Sequence, residues 1–115
     1  MKIAITSTGK SLDSAIDSRF GRAKIFIIFD TESENIETID NTQNLNAARG
    51  AGIQSAQNII NAGAEVLITG HCGPKAFQTL TAGDVKVFYA SDGTVAEVIE
   101  KYKNDELALA GNADV

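Results

Sequence analysis

The sequence predicts a single α/β domain with a five-stranded mixed sheet and three helices. A chain of 115 residues has the usual length of one domain. Its short apolar segments, rich in Ile, Val and Phe, are typical of buried strands. Beyond residue 40 these segments alternate with stretches of helical period, and that alternation is typical of βαβ units.

Each element has a local reason in the sequence. Gly63 and Gly83 are typical residues to follow the end of a helix. Pro74 suits the first helical turn, and Thr94 with Glu97 has the spacing of a capping box. The predicted strands are 2–6, 24–30, 35–40, 65–69 and 85–89, and the predicted helices are 47–62, 74–82 and one that starts at Thr94. The domain is expected to span 1–103, with a flexible tail over 104–115.

The order of these elements predicts the topology. Residues 24–40 read as a hairpin, so the second strand runs antiparallel to its neighbours. Right-handed crossovers then favour the strand order 3-2-1-4-5. In this arrangement the loops 7–23, 41–47, 70–74 and 90–94 open at one edge of the sheet, where α/β proteins usually bind ligands.

Composition excludes several classes of function. The formal net charge of -5 argues against a nucleic-acid-binding protein, which would normally carry a basic face. The longest apolar run, residues 25–29, is far too short to cross a bilayer, and no signal peptide is evident. A single Cys cannot form an internal disulfide. We expect a cytoplasmic monomer that binds neither nucleic acid nor membranes.

The segment "TGHCGPKAF", residues 69–77, is the strongest candidate site. It contains the only His, Cys and Pro of the chain: His71, Cys72 and Pro74. All three Arg residues of the chain, Arg19, Arg22 and Arg49, fall on the same predicted edge. Helix starts near 47, 74 and 94 would add backbone N–H groups there. Because Arg and helix N-termini both favour oxyanions, these residues predict an anionic ligand.

The same residues also allow other interpretations. Cys72 can be a core residue beside a satisfied His, because unpaired Cys is often buried. "RGAGIQ" lacks the final Gly of a dinucleotide-binding motif and favours close helix packing or backbone approach to a ligand. A metal-dependent nuclease is disfavoured because the first strand, "KIAIT", has no carboxylate. A Cys–His dyad is also disfavoured, since adjacent residues in an extended segment point in opposite directions.

Three segments resemble the nitrogenase iron–molybdenum cofactor biosynthesis accessory family. They are "SRFGRAKIFIIFD", "AARGAGIQSAQNIINAGAEVLITGHCGPKAF" and "VKVFYASDGTVAEVIEKY", and the resemblance covers about residues 2–102. The family's "HFGRA"-type motif falls on 18–23, where Ser18 stands in place of the His of many members. Its "G-x-x-G-P" turn falls on 70–74. The resemblance implies a ribonuclease H-like fold and binding of the iron–molybdenum cofactor or its iron–sulfur precursor.

These arguments together predict a non-catalytic carrier of an anionic iron–sulfur-type metal cluster, with cluster donor or acceptor proteins as partners. Thiolate and imidazole are ligands suited to such metals, so His71 and Cys72 are the predicted metal ligands. The predicted cofactor-binding residues are Ser18, Phe20, Arg22, Arg49, Gly70, His71, Cys72 and Gly73. The alternative is a binding module for phosphate-bearing small molecules or nucleotides that uses the same edge without metal.

Overall fold

The computed structural model describes residues 1–41 and 51–111, and within them a six-stranded sheet is flanked by helices on both faces. The strands are β1 (Lys2–Ser7), β2 (Ile25–Asp30), β3 (Ile36–Asp40), β4 (Ala64–Thr69), β5 (Lys86–Tyr89) and β6 (Ala108–Leu109). The helices are α1 (Ala51–Asn61), α2 (Pro74–Ala82) and α3 (Val95–Lys103). The strand order is β3-β2-β1-β4-β5-β6.

The central strands are apolar on both sides because helices or loops cover both faces of the sheet. In β1, Ile5 pairs with Ile27 of antiparallel β2 and with Ile68 of parallel β4. Helices α1 and α2 pack on one face, where Ile59 and Leu80 are fully buried. Helix α3 packs on the other face together with side chains of the loop that follows β1. The sheet therefore separates two cores, and the edge at which its parallel strands end lies between them.

The predicted order of the first five strands is confirmed, including the antiparallel β2. The prediction of five strands was wrong, because β6 pairs antiparallel with the outer edge of β5. Leu109 lies opposite Phe88, and the Ala110 N–H donates to the Val87 carbonyl at 2.8 Å. A two-residue strand has no periodicity that a sequence pattern could reveal, so its formation depends on the open β5 edge. The flexibility expected of 104–115 stays a prediction.

The predicted helix at 74–82 is confirmed with the same bounds. The first predicted helix is confirmed over Ala51–Asn61, while its expected first residues, 47–50, lie outside the described residues. None of the described helices is long and apolar enough to span a membrane.

Gly63 ends α1 in a left-handed conformation and offers a test of this turn. Its φ is +88°, and its N–H donates to the Ile60 carbonyl at 3.0 Å. A Cβ added there would meet nothing closer than Lys2 Cδ at 3.7 Å, so the cost of a side chain is conformational rather than steric. We expect Gly63→Ala to lower the free energy of unfolding by about 1 kcal/mol in urea denaturation. The control is Gly111→Ala, whose added Cβ meets nothing within 4 Å; equal losses in the two variants would contradict the prediction.

Candidate functional site

The loop after β1 lies directly against the turn after β4. The Phe20 N–H donates to the His71 carbonyl at 3.2 Å, and Arg19 and His71 form a parallel bridge. A Cβ on Gly70 would come within 2.7 Å of the Ser18 carbonyl oxygen and 2.8 Å of Ser18 Cα. Because those are backbone atoms that cannot easily move, glycine is required at this position. The expected proximity of 18–23 to 70–74 is therefore found in the structure.

Buried hydroxyl groups fix the same loop to the strand ends. The Thr6 hydroxyl donates to the Asp17 carbonyl at 2.6 Å, and the Thr69 hydroxyl lies 3.1 Å from that of Thr6. The Asp17 N–H donates to the Thr6 carbonyl at 2.9 Å. The Asp17 carboxylate in turn accepts from the Arg19 backbone N–H at 3.0 Å. These bonds join the ends of β1 and β4 to the loop.

Asn41 joins β3 and α1 to this arrangement. Its side chain is buried and donates to the Ala23 carbonyl at 2.8 Å and to the Gly21 carbonyl at 3.4 Å. Its Oδ1 accepts from the Ser55 hydroxyl of α1 at 3.1 Å. The end of β3, the loop and α1 are thus connected through one amide side chain.

A cavity of about 370 Å³ opens where α1 and α2 begin. Its walls are mainly apolar, and Lys75 supplies the only charged side chain among its described lining residues. The lining residues are Phe20, Gly21, Gly52, Ile53, Gly73, Pro74, Lys75 and Ala76. A Cβ on Gly52 would lie 3.2 Å from the Ala76 Cβ, so the absence of a side chain lets α1 approach α2 closely. Phe20, which is 2% exposed, is the buried aromatic residue of this wall.

Ile53 is a cavity residue that sequence reasoning missed. The helical period of residues 47–62 predicts that Ile53 shares one apolar face with Ala56, Ile59 and Ile60, but Ile53 is 39% exposed and lines the cavity. Six positions of an α-helix separate Ile53 from the fully buried Ile59, which puts the two about 120° apart around the axis. This angle between Ile53 and Ile59 was the signal in the sequence that Ile53 lies off the buried face of α1.

The N-terminus of α2 is open toward this cavity. Its N-cap is Gly73, which has no side chain to cap the helix, and Pro74 occupies the next position. The first-turn N–H groups of Lys75 and Ala76 are therefore left without a side-chain cap. Since a helix start carries partial positive charge, this end of α2 favours an anionic group.

The N-terminus of α3 is closed, so the prediction that the helix start at 94 contributes open N–H groups was wrong. The Val95 and Ala96 N–H groups donate to the Ser14 and Leu12 carbonyls, both at 2.9 Å. The predicted capping box is confirmed: the Glu97 N–H donates to the Thr94 hydroxyl at 3.2 Å, and the Thr94 N–H donates to Glu97 Oε1 at 2.9 Å. Hydrogen bonding to Thr94 lowers the pKa of Glu97, with the larger effect from the Thr94 N–H and the smaller from its hydroxyl.

His71 and Cys72 diverge from each other at the turn. The His71 side chain is exposed, whereas Cys72 is 1% exposed and belongs to the core under α1 and α2. The Cys72 thiol lies 3.8 Å from the Gly73 carbonyl oxygen. Within residues 1–41 and 51–111, no three His, Cys, Asp or Glu side chains form a group that could hold a metal ion. The assignment of His71 and Cys72 as ligands stays a prediction.

Two of the three predicted Arg residues lie in the part of the chain that the structure describes. Arg22 is half-buried and directly follows the cavity residue Gly21. Arg19 has a side chain 63% exposed, and its Nε lies 3.5 Å from Asp17 Oδ1. Arg49 lies outside the described residues. Ser18 is exposed and contributes its backbone to the contact with Gly70.

The chain is similar to known proteins along most of its length. A profile of the dinitrogenase iron-molybdenum cofactor family matches residues 1–105. Since that match covers most of the chain, the protein belongs to the dinitrogenase iron-molybdenum cofactor family. An uncharacterised protein of Methanocaldococcus jannaschii is 31% identical over 110 residues, which are 93% of this chain and 89% of that protein.

Two solved structures are similar over nearly the whole chain. The apo form of the orange protein from Desulfovibrio gigas is 37% identical, with a TM-score of 0.96 and coverage of 99% of this chain and 96% of that one. A Thermotoga protein provisionally described as a NifB protein is 42% identical, with a TM-score of 0.84 and coverage of 94% and 91%. The fold of the described residues is therefore one that these two proteins share.

Gly70→Ala tests the contact that assembles the site. The new Cβ would collide with the Ser18 backbone, so the loop and the turn must separate. We expect a loss of about 1–3 kcal/mol in the free energy of unfolding, the usual cost of overpacking. We also expect the amide of Phe20, which donates to His71, to lose protection from hydrogen exchange. Gly111→Ala is again the control, and a Gly70→Ala variant of unchanged stability would contradict the close contact.

Proposed function

We propose that this protein binds an anionic iron–sulfur-type metal cluster, such as the iron–molybdenum cofactor or a precursor of it, and carries it without catalysis. The observation that carries the proposal is the cavity of about 370 Å³ between α1 and α2, which combines apolar walls, Lys75 and an open helix N-terminus. Membership of the dinitrogenase iron-molybdenum cofactor family supports the choice of cargo. A ribonuclease H-like classification, a monomeric state and a cytoplasmic location are part of the same proposal.

The cavity chemistry suits a cluster that brings most of its own ligands. A bare metal ion needs several protein ligands, and the described residues offer no such group. A preassembled cluster already has sulfur atoms around its metals and presents a large, polarisable, negatively charged surface. Apolar contacts from Phe20 and Ile53 and positive charge from Lys75 and the α2 N-terminus match such a surface.

We assign the individual roles as follows. His71 is exposed at the turn and coordinates the cluster from outside the cavity. Cys72 is the second ligand, and because its thiol is buried, the turn must move for Sγ to reach a metal. Arg22 and Arg49 attract the anion, while Ser18, Phe20, Gly70 and Gly73 shape the site. The partners are the proteins that donate or accept the cluster.

A relative supports the presence of a bound group. The Desulfovibrio gigas orange protein was solved in its apo form, a description that implies a holo form of that protein. With 37% identity over nearly the full length, this chain has the sequence and fold to offer a comparable site.

The alternative function is a module that binds a phosphate-bearing small molecule or nucleotide without metal. The uncapped first turn of α2 favours it, because phosphate binds at such helix starts. The two functions differ in colour. Protein reconstituted without oxygen absorbs visible light if it holds an iron–sulfur-type cluster, whereas a phosphate complex does not.

The double variant His71→Ala with Cys72→Ala tests the ligand roles. We expect a folded protein that, after anaerobic reconstitution with ferrous iron, sulfide and molybdate, retains the visible chromophore at least about tenfold less tightly than the unchanged chain. The single variants separate the two ligands: His71→Ala tests the exposed imidazole, and Cys72→Ala tests whether the buried thiol takes part. Unchanged retention in the double variant would rule out both ligand roles.

Arg22→Glu tests the attraction of the anion to the edge. We expect weaker cluster retention with little change in stability, because a half-buried positive charge near the cavity is replaced by a negative one. Lys24→Glu is the matched control, since Lys24 is exposed two positions further along and undergoes the same change of charge. Equal retention in the two variants, measured at the same ionic strength, would count against a specific role of Arg22.

A further inference from the structure

The outer edge of β3 is a second surface that the cluster site does not explain. Among the described residues β3 is the last strand of the sheet on this side, and none of its five residues is buried. The opposite edge is closed by β6, which has only two residues. Strand β3 therefore offers the longer described edge at which another strand could pair.

Two hydrogen bonds determine which backbone groups of β3 point outward. The Asp30 N–H donates to the Asn35 carbonyl at 3.0 Å, and the Asn41 N–H donates to the Lys24 carbonyl at 2.8 Å. In an antiparallel ladder, hydrogen-bonded residues alternate with residues whose N–H and C=O point away from the partner strand. Odd-numbered residues of this segment therefore bond to β2. Ile36 and Thr38 direct their backbone N–H and C=O groups away from the sheet.

The charge along this edge selects the kind of strand that can pair with it. The segment 30–40 contains five acidic residues and neither Lys nor Arg. They are Asp30, Glu32, Glu34, Glu37 and Asp40. Charged side chains on an edge strand normally prevent pairing with copies of the same protein. The same charges attract an extended segment that is rich in Lys or Arg, so a basic strand of another protein is the complementary occupant.

The position of β3 connects this edge to the cluster site. Its last residue, Asp40, precedes Asn41, whose side chain is hydrogen-bonded to the carbonyl of the cavity residue Gly21. A strand paired along β3 would therefore end beside the loop that forms the cavity wall. We propose that the β3 edge binds a basic, extended segment of the protein that donates or accepts the cluster. The identity of that partner rests on the proposed function, whereas the strand pairing does not.

A synthetic peptide on the apo protein tests the pairing. The probe is an end-blocked Lys-Val-Lys-Val-Lys-Val-Lys peptide, and its control is the same peptide with every interior amide N-methylated. Both carry the same charge, but only the first can pair as a strand. We expect the unmodified peptide to shift the amide NMR signals of Ile36 and Thr38, and the methylated peptide to bind at least about tenfold more weakly.

Two variants test the same edge from the side of the protein. Thr38→Pro removes an outward N–H, which an edge strand tolerates, and should weaken peptide binding at least about tenfold. Thr38→Val keeps that N–H and should bind as the unchanged chain does. Equal binding of the two peptides, or no signal change at millimolar peptide, would overturn the proposal even if Thr38→Pro fails to fold.

The two proposals can fail separately. Peptide binding is measured without any cluster, and cluster retention is measured on Thr38→Val and Thr38→Pro without any peptide. We expect both variants to retain the chromophore equally. If none of the chains retains the chromophore while the peptide still binds, the cluster proposal is wrong and the strand-pairing proposal stands.

Discussion

The site depends on one close contact, in which the backbone of Ser18 lies against Gly70 where any side chain would collide. This contact, with the hydrogen bond from the Phe20 N–H to the His71 carbonyl, joins the long loop after β1 to the turn after β4. It brings Phe20 into the wall of the cavity. Phe20 and the buried Cys72 belong to the same hydrophobic core, which lies under α1 and α2.

The same loop gives the two helix starts at this edge different properties. The backbone carbonyls of Leu12 and Ser14 accept hydrogen bonds from the first N–H groups of α3, so this helix start is capped by backbone and not by the side chains of these two residues. Further along, Phe20 and Gly21 border the start of α2 without occupying its N–H groups. One helix end is thus used for stability and the other remains available for a ligand. The topology places the starts of α2 and α3 at the same edge of the sheet, but the two starts differ chemically. The side of α2 carries Lys75 and the apolar wall of the cavity.

The sequence was sufficient for the features that depend on local pattern and strand order. Alternation of strands and helices, with Pro74 and the Thr94–Glu97 pair as boundaries, predicts the order of five strands and the edge where the loops meet. It could not predict β6, whose two residues depend on an open neighbouring edge. It also could not predict the closed end of α3, because loop carbonyls carry no residue-type signal. The burial of Cys72 and the exposure of Ile53 depend on tertiary packing, which no local pattern in the sequence reveals.

The overall charge limits how an anion can be held. A chain of formal net charge -5 repels an anionic cluster at long range, but salt screens such repulsion beyond about 8 Å at physiological ionic strength. A bound cluster would therefore have to be held by short-range contacts in the cavity, which a small displacement of its wall would weaken. Asn41 links that wall, through the Gly21 carbonyl, to the end of the acidic β3 edge. A partner strand that pairs with β3 would act on the residue that holds the wall in position, so docking and cluster transfer would be coupled through a single amide side chain.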